Sequence, residues 1–382
     1  MFLTNQDVVT LTEWRRELHR NPEISGEEAE TARAVRAFLA SAGADRIVTG
    51  LGGHGIAGIF EGGEPGPTVM VRAELDALPI EEISEAPHRS RVLGKAHLCG
   101  HDGHMAILAA LALGLSRRRP QRGRAVLLFQ PAEETGAGAA AVVADPKFRE
   151  IAPDVVFALH NLPGMRFGKA ALIEGPVSCA SRGMRIVLTG KTAHASMPET
   201  GLSPVDAVAR LMPALTALGS GGPMDESFAM VTVTHARIGE PAFGIAPAHG
   251  EVWATLRTLT DAGMDALVAK AERLAEDAAR AGGLSVAVSY SDIFRHCENA
   301  PEAVAHLRRA LDAEGVPHDR GNLPMRPSED FGHLGANAPA AMFFLGSGEN
   351  HAALHNPDYD FPDDLIPIGA RVFMRALRDL LG

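Results

Sequence analysis

His97-Leu98-Cys99-Gly100-His101-Asp102-Gly103-His104 packs five metal-capable side chains into eight residues. Thiolate and imidazole both suit borderline divalent metals, so Cys99 and His101, two apart on one short turn, form a natural ligand pair. Gly100 and Gly103 let the backbone bend sharply and approach whatever is bound. From His104 onward, Met-Ala-Ile-Leu-Ala-Ala-Leu-Ala-Leu-Gly-Leu reads as a largely buried helix. The turn therefore stands at a helix N-terminus, where the macrodipole is expected to favour thiolate over thiol at Cys99.

Working outward, four apolar runs each end in polar chemistry. Thr68-Val69-Met70-Val71-Arg72-Ala73 leads to Glu74-Leu75-Asp76, and Ala125-Val126-Leu127-Leu128-Phe129 leads to Gln130-Pro131-Ala132-Glu133-Glu134. Asp154-Val155-Val156-Phe157-Ala158-Leu159 ends in His160-Asn161; Ala341-Met342-Phe343-Phe344-Leu345-Gly346 leads, through a loop carrying Glu349 and His351, to Leu354-His355-Asn356-Pro357. Short β-branched and aromatic runs alternating with helical stretches predict an α/β fold, a sheet covered on both faces. In such sheets the ligand site lies beyond the carboxyl ends of the strands. Residues following four separate strands are thus expected to converge.

Collected from those ends, the candidate metal ligands are Cys99, His101, Glu134, His160 and His355. Five exceed the usual complement of one zinc site, whereas two metals about 3.5–4 Å apart and sharing a ligand use them all. Cys99, with lone pairs to spare, is the candidate bridge. Adjacent residues in extended backbone point in different directions, so Glu133 is assigned as general base beside the ligand Glu134. Asp76 either orients the site from behind a ligand or caps the turn Asp76-Ala77-Leu78-Pro79.

The middle of the chain changes character. From Arg182 the order strand (184–189), helix (204–218), strand (229–237), strand (250–257), helix (264–281), strand (284–291) is βαββαβ, the ferredoxin-like pattern. The expected organisation is a catalytic domain in two parts, 1–181 and 296–382, interrupted by an inserted domain at 182–295. In Gly190-Lys191-Thr192-Ala193-His194-Ala195-Ser196, a His follows a strand; if the inserted domain closes over the metals, His194 is placed to donate to a developing oxyanion. Nearer the N-terminus, residues 12–19 and 27–42 read as amphipathic helices, with Arg15, Arg16 and His19 expected at the surface or as caps.

The composition narrows the function. A chain of 382 residues with 46% hydrophobic and 22% charged residues can bury full cores in two domains. Its formal net charge of −11, with no basic run longer than Arg117-Arg118-Arg119, argues against a nucleic-acid partner. Three widely spaced cysteines, Cys99, Cys179 and Cys297, do not form a disulfide framework and fit a reducing compartment. With no secretory signal and no long apolar span, a cytoplasmic protein with no membrane partner is expected.

Five spaced motifs in order, His97 to His104, Gln130 to Glu134, Leu159-His160, Gly190 to Ala195 and Leu354 to Phe361, together with Arg15 to His19, resemble the aminoacylase-like metalloamidohydrolases. That group includes hippurate hydrolase, N-acyl-amino-acid amidohydrolases and auxin-conjugate hydrolases. The resemblance implies a zinc-peptidase-like mixed-sheet catalytic domain, an inserted ferredoxin-like lid that often mediates homodimerisation, and hydrolysis of the amide of N-acyl amino acids. It also implies that Cys99, His101, Glu134, His160 and His355 bind two divalent ions, with zinc, manganese, nickel or cobalt all suited to the set. Glu133 matches the family's base, and the lid His aligned with His194 reaches the active site, sometimes that of a partner subunit. Two departures stand out: Glu74 replaces the usual Asp, and Gly244, in Phe243-Gly244-Ile245-Ala246-Pro247, stands where many relatives have Asn. Arg257 is a candidate for bidentate pairing with a substrate carboxylate. The competing readings are a dipeptidase, aminopeptidase or carboxypeptidase using the same metals, a thiol amidase with Cys99 as nucleophile, and a binding protein that kept the fold.

Overall fold

The computed structural model describes residues 2–336 and 338–382. The chain divides into two compact units: one runs to Val177 and takes in Glu298–Leu323 and Asp330–Gly382, and the other comprises Ser178–Cys297 and Pro324–Glu329.

In chain order the first unit contributes helices α1 (Asn5–Arg20) and α2 (Ala29–Ser41) and strands β1 (Arg46–Leu51), β2 (Gly55–Glu61) and β3 (Glu64–Glu74). Helix α3 (His101–Arg117) and strands β4 (Arg122–Gln130) and β5 (Val155–Pro163) follow. The second unit supplies β6 (Ala180–Thr189), α4 (Val205–Thr216), β7 (Ala229–Ile238), β8 (His249–Thr258), α5 (Asp261–Gly282) and β9 (Ser285–Phe294). The first unit resumes with α6 (Pro301–Ala313), β10 (Ala340–Gly348) and α7 (Leu365–Leu381).

The first unit's sheet runs β1-β2-β4-β3-β5-β10 and ends in two two-residue strands, Ala170–Ala171 and His318–Asp319. It is mixed: β1, β2 and β4 pair antiparallel, while β4, β3, β5 and β10 run parallel. The register sets Glu74 opposite Gln130 and His160 opposite Phe344, so four carboxyl ends finish along one edge. Helix α3 is buried from His101 through Ala112 and packs against α1, α7 and β3. That enclosure explains why its sequence is apolar all round instead of on one stripe.

Helix α1 begins seven residues before the stretch expected from periodicity. Its start is fixed by a capping box in which Thr4 Oγ1 accepts from the Asp7 N–H and Asp7 accepts from the Thr4 N–H. The second unit is a β-α-β-β-α-β chain with an all-antiparallel sheet in the order β7-β8-β6-β9, and α4 and α5 share one apolar core with it. Among the described residues, no helix is long and apolar enough to cross a membrane. Cys99, Cys179 and Cys297 are all buried.

Candidate metal centre

The turn before α3 holds its shape through residues distant in sequence. Gly100 has φ +88°, and a Cβ there would strike Asn161 and come within 2.8 Å of the Tyr359 hydroxyl. A Cβ on Gly103 would collide with the Phe361 ring. Both glycines are therefore required by close approach, and at Gly100 by backbone conformation as well.

Around that turn the candidate ligands meet. The ligating atoms of Cys99, His101 and His160 all lie within 4.8 Å of one another, and so do those of Cys99, Glu134 and His355. Cys99 belongs to both groups. His101 Nδ1 is 2.8 Å from the Asp76 carbonyl oxygen and His160 Nδ1 is 2.7 Å from that of Asn161. With each Nδ1–H donated to a carbonyl, each Nε2 is left as the coordinating nitrogen. Among the described residues His101 Nε2 is buried without a hydrogen-bond partner, an expensive arrangement unless a cation completes it. Glu133 and Glu134 each place an oxygen 3.9 Å from that nitrogen, and Glu134 sits 3.5 Å from His355 Nε2.

The electrostatics ask for positive charge. Burial opposes a proton on His101, but the hydrogen bond to Asp76 and the charges of Glu74 and Glu134 outweigh it and push the imidazole up to about 10. Soft thiolate, imidazole and carboxylate donors in this field fit borderline divalent cations. Cys99 departs from expectation: burial, and then the charges of Glu134 and Glu133, push its thiol well above the ordinary value. The helix dipole is outweighed, so deprotonation of Cys99 depends on a cation beside it.

Two ligand-bearing segments carry backbone strain. His355 has φ +65°, held by its N–H donating to Leu98 O at 2.8 Å. Ala132, just before Glu133, has φ +50°, with its N–H donating to the buried Glu28 carboxylate at 2.8 Å. Such conformations persist only where surrounding contacts over-determine them.

Asp76 is buried, accepts from Ser25 Oγ and from the Glu134 N–H, and lies 3.5 Å from His101 Nδ1. It thereby links two candidate ligands. Asn161, which sequence reading passed over, is a second hub. Its Nδ2 donates to Cys99 O at 2.7 Å, while its Oδ1 accepts from Ser347 Oγ and the Tyr359 hydroxyl. Its backbone N–H donates to His104 Nε2, whose Nδ1 lies 2.7 Å from the Glu74 carboxylate. Both His104 nitrogens are thus occupied, which separates it from the ligands despite its place in the same turn. Only its position directly after His160 marked Asn161 in the sequence.

Arg15 and His19, expected at the surface, are instead fully buried. Arg15 donates to Asp102 at 3.0 Å and to Asp360 at 2.6 Å; His19 Nδ1 lies 2.9 Å from Asp102. These pairs tie α1 to the start of α3 and to the loop carrying His355. Arg16 does remain half-exposed, paired with Asp363 and Glu13.

His194 and Arg257 belong to the second unit. His194 is exposed on a two-stranded ribbon in which Ala193–His194 pairs with Ile245–Ala246, and Gly244 O accepts from the Ala195 N–H. The Ser196 N–H donates to His194 Nδ1 at 3.1 Å, so in the neutral ring the proton sits on Nε2. Arg257 donates to Arg326 O and to Ser328 Oγ, anchoring the Pro324–Glu329 segment within the second unit.

Residues 70–379 match the peptidase family M20/M25/M40. The chain belongs to that family. It is 28% identical over 372 residues to N-acetylcysteine deacetylase of Bacillus subtilis, covering 95% of this chain and 94% of that enzyme. Hippurate hydrolase of Campylobacter jejuni is 30% identical over 363 residues, 94% of each chain. A Bacillus subtilis structure described as a dinuclear metal binding peptidase of the M20 family superposes with a TM-score of 0.83 at 25% identity, covering 99% of both chains. This M20 chain is a metal-dependent amidohydrolase, and two divalent cations are the complement its family and its donor set support.

Proposed function

We propose that this M20 enzyme hydrolyses the amide bond of N-acyl amino acids, releasing a carboxylic acid and the free amino acid. The observation that carries the reading is Cys99 shared between two three-donor groups, with Glu133 beside both. Relatives that act on N-acetylcysteine and hippurate support the substrate class.

In this reading Cys99, His101, Glu134, His160 and His355 would hold two ions drawn from zinc, manganese, nickel and cobalt, with Cys99 the donor common to the two groups. Two such ions, when bound, polarise the amide carbonyl and lower the pKa of an attacking water. Glu133 takes the proton of that water and returns it to the departing amine nitrogen. Asp76 keeps the His101 ring and the Glu134 backbone in place. His194 Nε2–H is assigned to the oxyanion and Arg257 to the substrate carboxylate, with a homodimer formed through the second unit. A cytoplasmic setting is part of the same reading, supported by three cysteines too widely spaced in sequence for a disulfide framework.

A panel of N-acetyl and N-benzoyl amino acids, given to chelator-stripped protein with and without each of the four metals, tests the proposal. Metal-dependent release of free amino acid is the expected result. Cleavage of free dipeptides with no action on acylated amino acids would replace the reading with a peptidase.

A further inference from the structure

A cavity of about 530 Å³ opens at the C-terminal end of α3, lined by arginines from α3, its trailing residue and α7. Because α3 begins with His101, its 17 residues set this cavity roughly 25 Å from the metal centre.

Arginines at a helix C-terminus ordinarily cap carbonyls or pair with acids, and three of the five do so. Arg117 pairs with Asp7, Arg375 with Asp379, and Arg378 donates to the carbonyls of Arg118 and Arg119. Capping and pairing leave two unaccounted for. Among the described residues, no carboxylate lies within ion-pair distance of Arg118 or Arg371, although the cavity is also lined by Glu314. Burial, and then the charge of Arg118, hold Arg378 below its ordinary value. In a chain of net charge −11 this local excess of positive charge is the exception. The floor is apolar: Phe2 and Met374 both press on Gly114, where a Cβ would clash with each of them.

We propose that this cavity binds a small phosphate monoester, its oxygens taken by the Arg118 and Arg371 forks and its organic part resting on Phe2 and Met374. Planar guanidinium forks match phosphate oxygens two at a time, and the volume lies within the range of small-ligand sites. The proposal is independent of the amidohydrolase reading, since no residue is shared with the metal centre.

The test is calorimetric titration of the metal-loaded enzyme with phenyl phosphate and, separately, inorganic phosphate, at physiological salt. Phenyl phosphate is expected to bind more tightly than inorganic phosphate. The Arg118→Ala/Arg371→Ala double variant should weaken it at least about tenfold, with Arg371→Lys between, because lysine keeps the charge and loses the fork. Arg118 is exposed, so the Arg118→Ala single variant gives the same reading should the double variant fold poorly. Phosphate held at the metals would be indifferent to these changes. Unchanged affinity in the variants, an equal loss in the remote Arg210→Ala control, or no preference for the phenyl ester would each overturn the proposal.

Discussion

The metal centre and the His194 ribbon are held in opposite ways. In the first unit, the turn at Cys99 is held by Gly100, by Asn161 donating to Cys99 O and by the His355 N–H donating to Leu98 O. In the second unit, His194 rests on a two-residue ladder, is exposed, and has ring hydrogen bonds with Ser196. Phe243 beside it is entirely exposed. Under the proposed function, ligands must be preorganised because a misplaced donor loses the cation, whereas His194, meeting only the transition state, can be carried on a lightly held segment. Substitutions in the first region should therefore act on metal and chemistry together or apart according to position, and those in the ribbon on rate alone.

The largest effect is expected at Glu133. Glu133→Gln keeps size and polarity but cannot accept the proton, so turnover should fall by about 10²–10⁴ with both metals retained. Metal content by elemental analysis beside kcat checks this. Loss of metal would make Glu133 a ligand, and near-normal turnover would remove it as the base.

Asn161 separates holding from reacting. Asn161→Ala removes the donor to Cys99 O and the acceptor for Tyr359, freeing three ligand-bearing segments from one another. Metal affinity, measured by chelator competition, should fall about 10–100-fold, as for other residues that support ligands from behind. Tyr359→Phe, which takes away one donor only, should cost less. Equal affinities for all three proteins would confine Asn161 to packing.

These two residues also mark what sequence could and could not disclose. The convergence of Cys99, His101, Glu134 and His160 was legible because each follows an apolar strand or opens a buried helix, and a parallel sheet brings such ends together. Asn161 was not, since its partners Cys99, Ser347 and Tyr359 lie 62, 186 and 198 residues away. Arg15 and His19 were misread for the same reason. On an amphipathic helix they count as polar, and only Asp102 and Asp360, 87 and 345 residues from Arg15, make their burial tolerable. The capping box at Thr4 was legible in principle, because Thr followed three residues later by Asp is a local signal.

That buried network yields a pH dependence. Burial opposes charge on His19, but Asp102 and then Glu82 outweigh it and push the imidazole up to about 9. A group whose folded pKa is raised contributes stability that is full below its unfolded value near 6.5 and lost as pH rises through about 9. Urea unfolding midpoints should fall across that interval by an amount worth up to about 3 kcal/mol. His19→Gln should be less stable at pH 6.5 and nearly flat over the same range. A wild-type midpoint that does not fall would mean that His19 is neutral in the folded protein.

The smallest effect is expected on the ribbon, at Gly244. A Cβ there would meet nothing within 4 Å, and the residue has no positive φ, so neither space nor backbone demands glycine. Gly244→Asn should fold normally and add an amide donor immediately before Ile245, the residue paired with His194. One preorganised oxyanion donor is worth about 10²–10³ in rate when removed from a site built around it. On an exposed, lightly held ribbon the gain should be far smaller, a few-fold rise in kcat with KM and metal affinity unchanged. A gain approaching the full value would mean that the ribbon is as rigid in the working enzyme as the metal centre, and the contrast between the two regions would fall. A loss of activity would mean that this chain needs the open space at Gly244 for its own substrate.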